Sequence, residues 1–338
     1  MINDMIGHER TGRGEMTERL EANDAGIARA ADLLRAGGLV AFGTETVYGL
    51  GADATNDTAV ARIFAAKERP RFNPLISHFP DAEAAFTEAM PNDLARRLAE
   101  RFWPGPLTLV LPRQPGGTIS DLAAAGLPSV AVRVPRGAVT AALLRATGRP
   151  VAAPSANLSG KVSPSDAYHV MRGLNGRIDA VLDSGPCQVG VESTVLDLTG
   201  TAPMLLRPGG VTIEALAEIC GPISHPDDYA DTLPVSPGRM ESHYAPSLPV
   251  RLDAQEVGTD EALLAFGPEL PGAGLVWNLS PSGTVDEAAA RLFAGLRFLD
   301  SEGARRGLTR IAAMPIPRAG LGLAIRDRLR RAASPRPA

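Results

Sequence analysis

Between Asp24 and Gly221 the sequence switches repeatedly between two patterns. Helical stretches such as AGIARAADLLRAGG and TAVARIFAAKER are separated by the short apolar runs LVAF, LTLVLP, SVAVRVP, PVAAPS and STVLDL. Apolar runs with little polar alternation suit strands covered on both faces, and the intervening helices supply the cover. The pattern therefore predicts an α/β domain built on a largely buried sheet, placed at residues 20–221. Residues 222–249, rich in Pro, Asp and Ser, break the rhythm and are expected to be a linker. A second, smaller α/β unit is expected over 250–334, with LVWNLS and RIAAMPI as strands and VDEAAARLFAGLRFLD and GLAIRDRLRRAA as helices.

Composition narrows the class. A chain of 338 residues with 44 % hydrophobic and 4 % aromatic residues can bury a sizeable core of small side chains. No apolar run reaches the roughly 18 residues that span a bilayer, and MINDMIGHERTGRGEMTERL is too polar for a signal peptide, so a cytoplasmic protein is expected. Cys187 and Cys220 are too few and too far apart for a disulfide framework or a metal cluster, and neither HExxH nor CxxC is present, so no metal site is expected. A net charge of −4 disfavours a protein that coats nucleic acid, so any anion site must be local. The basic run RDRLRRAASPRP is expected to be a solvated helix face and tail.

Candidate functional residues fall in loops at strand ends. In KERPRFNPL, Lys67 is one of only two lysines among 34 basic residues. An ammonium is a compact point charge and a guanidinium a planar fork, so Lys67 and Arg69 could hold an anion from two directions. A solvated helix end stopped by Pro70 is the alternative. GTETVYGLG offers Thr46 among glycines that let a backbone approach a ligand, and it matches neither the Walker pattern nor GxGxxG. His78 in LISHF could meet a ligand or be a core histidine. PSVAVRVP carries Ser129 and Arg133. VAAPSANLSGKVSPS carries Ser155 and Ser163, the latter placed as the N-cap of a helix whose exposed amides could seat phosphate. GVESTVLDL and MLLRPGG contribute Ser193 and Arg207, an arginine able to clamp phosphate. No hydrolase triad emerges, and the inventory of hydroxyls, Arg and Lys suits binding and charge stabilisation.

Taken in order, TETVYGLG, KERPRFNPL, FWPGPLTLVL, SVAVRVP, PSANLSG, ESTVLDL, LRPG and SPG…HYAP resemble the threonylcarbamoyl-AMP synthase family in its two-domain form, over about Asp24 to Ala333. The resemblance implies a YrdC-like open twisted mixed sheet flanked by helices, a linker, and a smaller Rossmann-like α/β domain. It implies a nucleotidyltransferase that joins L-threonine, bicarbonate and ATP into threonylcarbamoyl-adenylate, with Mg2+ accompanying ATP. A downstream transferase complex would pass the group to tRNA beside the anticodon. Carried over by position, Thr46, His78, Arg133, Ala153 and Ser193 would line a threonine pocket. Arg69, Asn73, Ser129, Ser155, Ser163, Arg207 and Tyr244 would contact ATP. Lys67 and Arg69 would act on the reacting anions, and residues 222–249, with His243 and Tyr244, would form an active-site lid.

The chain departs from the family pattern in places. Gly43 stands where proline is usual before TET, which is expected to loosen that turn, and Glu241 and Ser242 replace basic residues before HYAP. Competing readings are a carbamoyl-adenylate step serving a carbamoyltransferase, and a non-catalytic module for double-stranded RNA. The first lacks its companion segments here, and the net charge weakens the second.

Overall fold

The computed structural model describes residues 16–70, 73–224 and 243–335. In the first domain the strands are β1 (Glu18–Glu21), β2 (Val40–Gly43), β3 (Tyr48–Asp53), β4 (Ile76–His78), β5 (Leu107–Pro112), β6 (Ser129–Arg133), β7 (Val151–Ala152), β8 (Ala180–Asp183), β9 (Thr194–Asp197) and β10 (Met204–Arg207). They form one mixed sheet in the order β1-β8-β2-β3-β7-β4-β6-β5-β9-β10. Its helices are α1 (Asp24–Arg35), α2 (Asp57–Lys67), α3 (Ala82–Phe86), α4 (Asp93–Phe102), α5 (Ala138–Thr147), α6 (Ala167–Leu174) and α7 (Ile213–Cys220).

Both sheet faces are covered, which is why the strand sequences lack polar alternation. In β2 the period of two divides the core, with Val40 and Phe42 packing with Leu34, Leu143 and Leu144 of α1 and α5. Leu39 and Ala41 belong to the opposite cluster with Ile63, Phe64, Leu98 and Leu216. β1 lies outside the expected alternation: it adds a parallel edge strand beside β8, pairing Glu18 with Ala180. Three of its four residues are exposed, and that polar composition hides an edge strand.

The second domain consists of β11 (Val250–Arg251), β12 (Glu261–Ala265), β13 (Leu275–Asn278), α8 (Val285–Arg305), β14 (Arg310–Ala313) and α9 (Gly322–Ala333). Its four strands are parallel in the order β11-β14-β12-β13, a small α/β sheet packed with α8 and α9. Most of the linker expected at 222–249 lies outside the described residues, as do Glu241 and Ser242.

The two domains share a core. Val47, Val162, Val191 and Tyr244 pack in one buried cluster with Leu292, Phe293, Leu296 and Leu329 of the second domain. Gly190, at φ +70°, lies so close to Ala289 and Ala290 of α8 that a Cβ there would overlap their backbone. The loops that carry the candidate site are thus buttressed directly by the second domain.

Candidate active site

The loops following β2, α2, β7 and β10, the segment entering β9 and the chain at 243–244 converge on one hollow. Its walls are formed by Arg69, Ile76, His78, Arg133, Ala153, Ser155, Ser193, Arg207 and Tyr244, with Glu192 and His243. Nine of the residues singled out from sequence, His243 of the expected lid among them, therefore meet in one place.

At one end, Arg133 reaches across from β6. Its Nη2 donates to Thr46 Oγ1 at 3.0 Å and lies 2.8 Å from Glu45 Oε2, and its Nε donates to the Gly105 carbonyl at 3.3 Å. Both partners of the Arg133–Glu45 pair are almost fully buried. Thr46 itself is held by Thr44 at 2.8 Å. The turn is not loosened by Gly43, because Thr44 Oγ1 donates to the Val47 carbonyl at 2.7 Å and Thr140 Oγ1 to the Gly43 carbonyl at 2.6 Å. Tyr48 and Ser184 fill the space beside Gly43, leaving no room for a side chain. His78 is buried with Phe42 edge-on at 6.3 Å, and burial followed by the Arg133 charge lowers its pKa to about 3, so it is a neutral imidazole at pH 7.

At the other end, Arg207 donates from Nε and Nη2 to the Ser193 carbonyl at 3.1 and 2.9 Å, and from Nη2 to Ser193 Oγ at 3.1 Å. Ser193 Oγ is also 2.8 Å from Thr108 Oγ1. Arg69 has only a 3.5 Å contact with the Pro74 carbonyl, and its buried Nε has no hydrogen-bond partner. Burial, then Arg207, lowers the Arg69 pKa to about 10. A half-buried guanidinium in the hollow wall, with donors to spare, is prepared for an anion.

Lys67 corrects the solvated-helix-end alternative. It is 1 % exposed at the end of α2, where Glu68 adopts a left-handed conformation that turns the chain inward. Its ammonium donates to the Ser155 carbonyl and, at 2.5 Å, to that of Asn157, so it pins the loop carrying Ser155 and is not itself part of the hollow's lining. Burial and then Arg69 hold its pKa well below the usual lysine value.

Ser163 also departs from expectation. Helix α6 starts at Ala167 with Asp166 as its N-cap, accepting from the His169 amide at 2.7 Å. Ser163 Oγ instead donates to Glu192 Oε1 at 2.8 Å, a charge-assisted bond to a buried carboxylate, while the helix amide is capped by Asp166. No phosphate seat forms at that helix start from Ser163. Asn73 is buried near Arg69 in sequence with an unpaired Oδ1, and Ser129 opens β6 opposite Pro112, at the end of the strand away from Arg133. Neither Asn73 nor Ser129 lines the hollow.

Residues not singled out as ligands turn out to be central. Glu192 lies in the hollow wall; burial alone would raise its pKa, but Arg328 and Arg207 outweigh it and hold the carboxyl at about 2. Arg328 lies in RDRLRR, which is not a solvated face: Arg328 is fully buried and Asp327 is 7 % exposed. Charge patterning alone could not find it, because α9 packs against the first domain. His243 and Tyr244 close one wall. Tyr244 stacks on Phe293 at 5.5 Å, and burial followed by Glu192 raises its hydroxyl to about 12. Among the described residues no group of three His, Cys, Asp or Glu is placed to hold a metal, and no helix is long and apolar enough to cross a membrane.

Known proteins place this geometry. A family model described as "Telomere recombination", the Sua5/YciO/YrdC group, matches residues 32–209, and one described as "Threonylcarbamoyl-AMP synthase, C-terminal domain" matches 211–334. The threonylcarbamoyl-AMP synthase of Bacillus subtilis is 41 % identical over 341 residues, covering 95 % of this chain and 97 % of that protein. That of Pyrococcus abyssi is 42 % identical over 324 residues, covering 90 % and 93 %. The crystal structure of P. abyssi Sua5 complexed with L-threonine superposes with a TM-score of 0.84 at 38 % identity, covering 94 % of this chain and 98 % of that one.

Proposed function

This chain belongs to the threonylcarbamoyl-AMP synthase family in its two-domain form, and from that premise we propose how its hollow divides the substrates. The activity is that of a nucleotidyltransferase making L-threonylcarbamoyladenylate for the threonylcarbamoyl modification of tRNA. Threonine occupies the end formed by Thr46, His78, Arg133, Ala153 and Ser193. ATP lies along Arg69, Ser155, Arg207 and Tyr244, with Asn73 and Ser129 meeting it outside the hollow and Ser163 held behind Glu192. Bicarbonate sits between the two, and a downstream transferase complex takes the product to tRNA in the cytoplasm.

The observation that carries this division is the pairing of Ser193 with Arg207. One guanidinium binds both the carbonyl and the hydroxyl of a residue on the threonine side, so the nucleotide clamp and the amino-acid pocket share a wall. In the reaction the threonine amine attacks the bicarbonate carbon and water departs; the carbamate oxygen then attacks the α-phosphorus and pyrophosphate leaves. Every reactant carries an anionic group, so Arg69, Arg133 and Arg207 gather and screen them, and positioning supplies much of the barrier reduction. Lys67 contributes by fixing the Ser155 loop, and its charge adds to the field without a direct contact.

Magnesium fits as a companion of the nucleotide. Of the two carboxylates at the site, Glu192 is held by Arg328 and Ser163, and Glu45 is ion-paired with Arg133 although neither of its oxygens accepts a hydrogen bond; the other side chains are arginines, hydroxyls and neutral imidazoles. Among the described residues that set makes no protein cage, so a magnesium ion would come with the nucleotide as part of the substrate. His243 and Tyr244 form one wall of the hollow, and that wall shields a mixed anhydride from water.

Pyrophosphate release measured with ATP and bicarbonate across the twenty amino acids tests the reading. Release only with threonine is expected; release without any amino acid, or with many, contradicts it.

A further inference from the structure

Arg328 projects from α9 of the second domain into the floor beneath the hollow. Its Nε donates to Glu192 Oε2 at 2.9 Å, its Nη1 to the Pro208 carbonyl at 2.6 Å and to Asp327 Oδ2 at 2.9 Å, and its guanidinium carbon lies 5.6 Å above the Tyr244 ring. Three of these four partners adjoin the nucleotide side: Glu192 holds Ser163 Oγ, Pro208 follows Arg207, and Tyr244 forms a wall; Asp327 belongs to α9 itself. A second arginine of the same domain, Arg297 on α8, donates to the carbonyls of Val162 and Ser163. Ser163 is therefore fixed on both sides from the second domain.

Domain docking alone does not require a buried arginine here. Val47, Val162, Val191 and Tyr244 already join the two domains through apolar contact, and buried ion pairs are often replaceable by well-packed apolar residues without loss of stability. What Arg328 adds is control of a negative charge. Glu192 is an anionic group in the wall of a hollow that has to admit a triphosphate. Without its partner the carboxylate would be left to Arg207, the other arginine that acts on it and a neighbour in the hollow wall. It would then repel phosphate and occupy the donors meant for it.

We propose that Arg328 is a positioning residue for ATP, reaching across the domain boundary to neutralise and orient Glu192, which Ser163 holds from behind, so that the carboxylate is kept off Arg207 on the nucleotide side. The proposal rests on the reading that ATP occupies this hollow. It assigns the second domain a defined part in the reaction: it completes the electrostatics of the nucleotide subsite.

The test uses the full-length chain and pyrophosphate release, with KM for ATP and for threonine determined separately in Arg328→Met, Arg328→Lys, Glu192→Gln and the double variant Arg328→Met/Glu192→Gln. Arg328→Met is expected to raise KM for ATP by about tenfold or more, the scale of an uncompensated buried charge, and to leave KM for threonine within about threefold. Removing the stranded carboxylate in the double variant is expected to bring KM for ATP back to within about threefold of Glu192→Gln alone. A merely structural arginine would shift both constants together or neither, and the second substitution would not restore ATP binding; either result overturns the proposal. If circular dichroism shows Arg328→Met unfolded, Arg328→Lys decides: a selective rise in KM for ATP supports positioning, and unchanged constants refute it. A wild-type chain that releases no pyrophosphate with threonine would instead refute the substrate reading on which the proposal rests.

Discussion

The site should make the fold acid-labile in a window that two of its own histidines define. His78 and His243 are each held neutral, with pKa values lowered from 6.5 to about 3. Burial is the main cause for both, followed by Arg133 for His78; at His243, Arg69 and Lys67 oppose the charge while Glu192 favours it. In the unfolded chain these rings protonate below 6.5, so the unfolded state binds more protons and stability falls as pH drops from 6.5 toward 3. Each ring removes about 1.4 kcal/mol per pH unit over that range, so the pair removes roughly 5 kcal/mol by about pH 4.5, a sum comparable with the whole stability of many domains. His169, lowered to about 4 chiefly by burial and then by Arg297, adds a smaller loss. Glu192, held at about 2, removes stability only as pH falls below its unfolded value of 4.5, beneath the pH range of the assay. The assay is thermal unfolding from about pH 7.5 to 4.5 of the wild type, His78→Gln and His243→Gln. Whatever each substitution does at neutral pH, it is expected to flatten the pH slope by about 1.4 kcal/mol per unit, or roughly 2 °C or more in Tm per unit. Parallel slopes in all three proteins would show that these rings are not buried and neutral.

Arg69→Met is expected to lower adenylate formation by about two to three orders of magnitude, as for loss of one charge-stabilising donor, while Tm holds or rises, because the guanidinium it removes is half-buried with few partners. A loss of activity accompanied by a large fall in Tm would mark Arg69 as structural. Gly190→Ala is expected to destabilise by more than about 1 kcal/mol and raise KM for ATP, since its φ of +70° and the approach of Ala289 and Ala290 leave no place for a methyl group; urea unfolding combined with the pyrophosphate assay checks it, and a neutral substitution would mean that the domains are not closely docked there. Cys187, whose thiol burial and then Glu45 push to about 12, should resist iodoacetamide at pH 8 until the chain unfolds, as read by mass spectrometry. Rapid labelling of the native protein would contradict the packing.

The fold was legible where local chemistry sets it. LVAF and SVAVRVP become β2 and β6 because their apolar character matches burial on both faces, and the helices between them carry their own caps, as Asn56 caps α2. The edge strand β1 was not, since an exposed edge is polar and looks like a loop. At the site, Arg69, His78, Arg133, Ser155, Ser193, Arg207 and Tyr244 came from ordered motifs and meet as expected. Lys67 was legible as unusual, but its engagement with the Ser155 and Asn157 carbonyls depends on a loop about ninety residues away in sequence. Ser163 and Arg328 were misread for a shared reason: local rules favour a cap and a solvated helix, and a tertiary partner, Glu192, overrides both. A buried carboxylate recruits distant donors that no local pattern announces.

The central claim is that one cationic hollow seats amino acid and nucleotide against a shared wall at Ser193 and Arg207. The most direct test is a crystal structure of the full-length chain with threonine, bicarbonate and an ATP analogue that cannot be cleaved between the α- and β-phosphorus. Phosphate oxygens are expected on Arg69 and Arg207, the threonine carboxylate toward Arg133 and Ser193, and Tyr244 against both. Density for the nucleotide in another place, such as the cleft between β10 and α9, with Arg69 and Arg207 left without an anion, would contradict it.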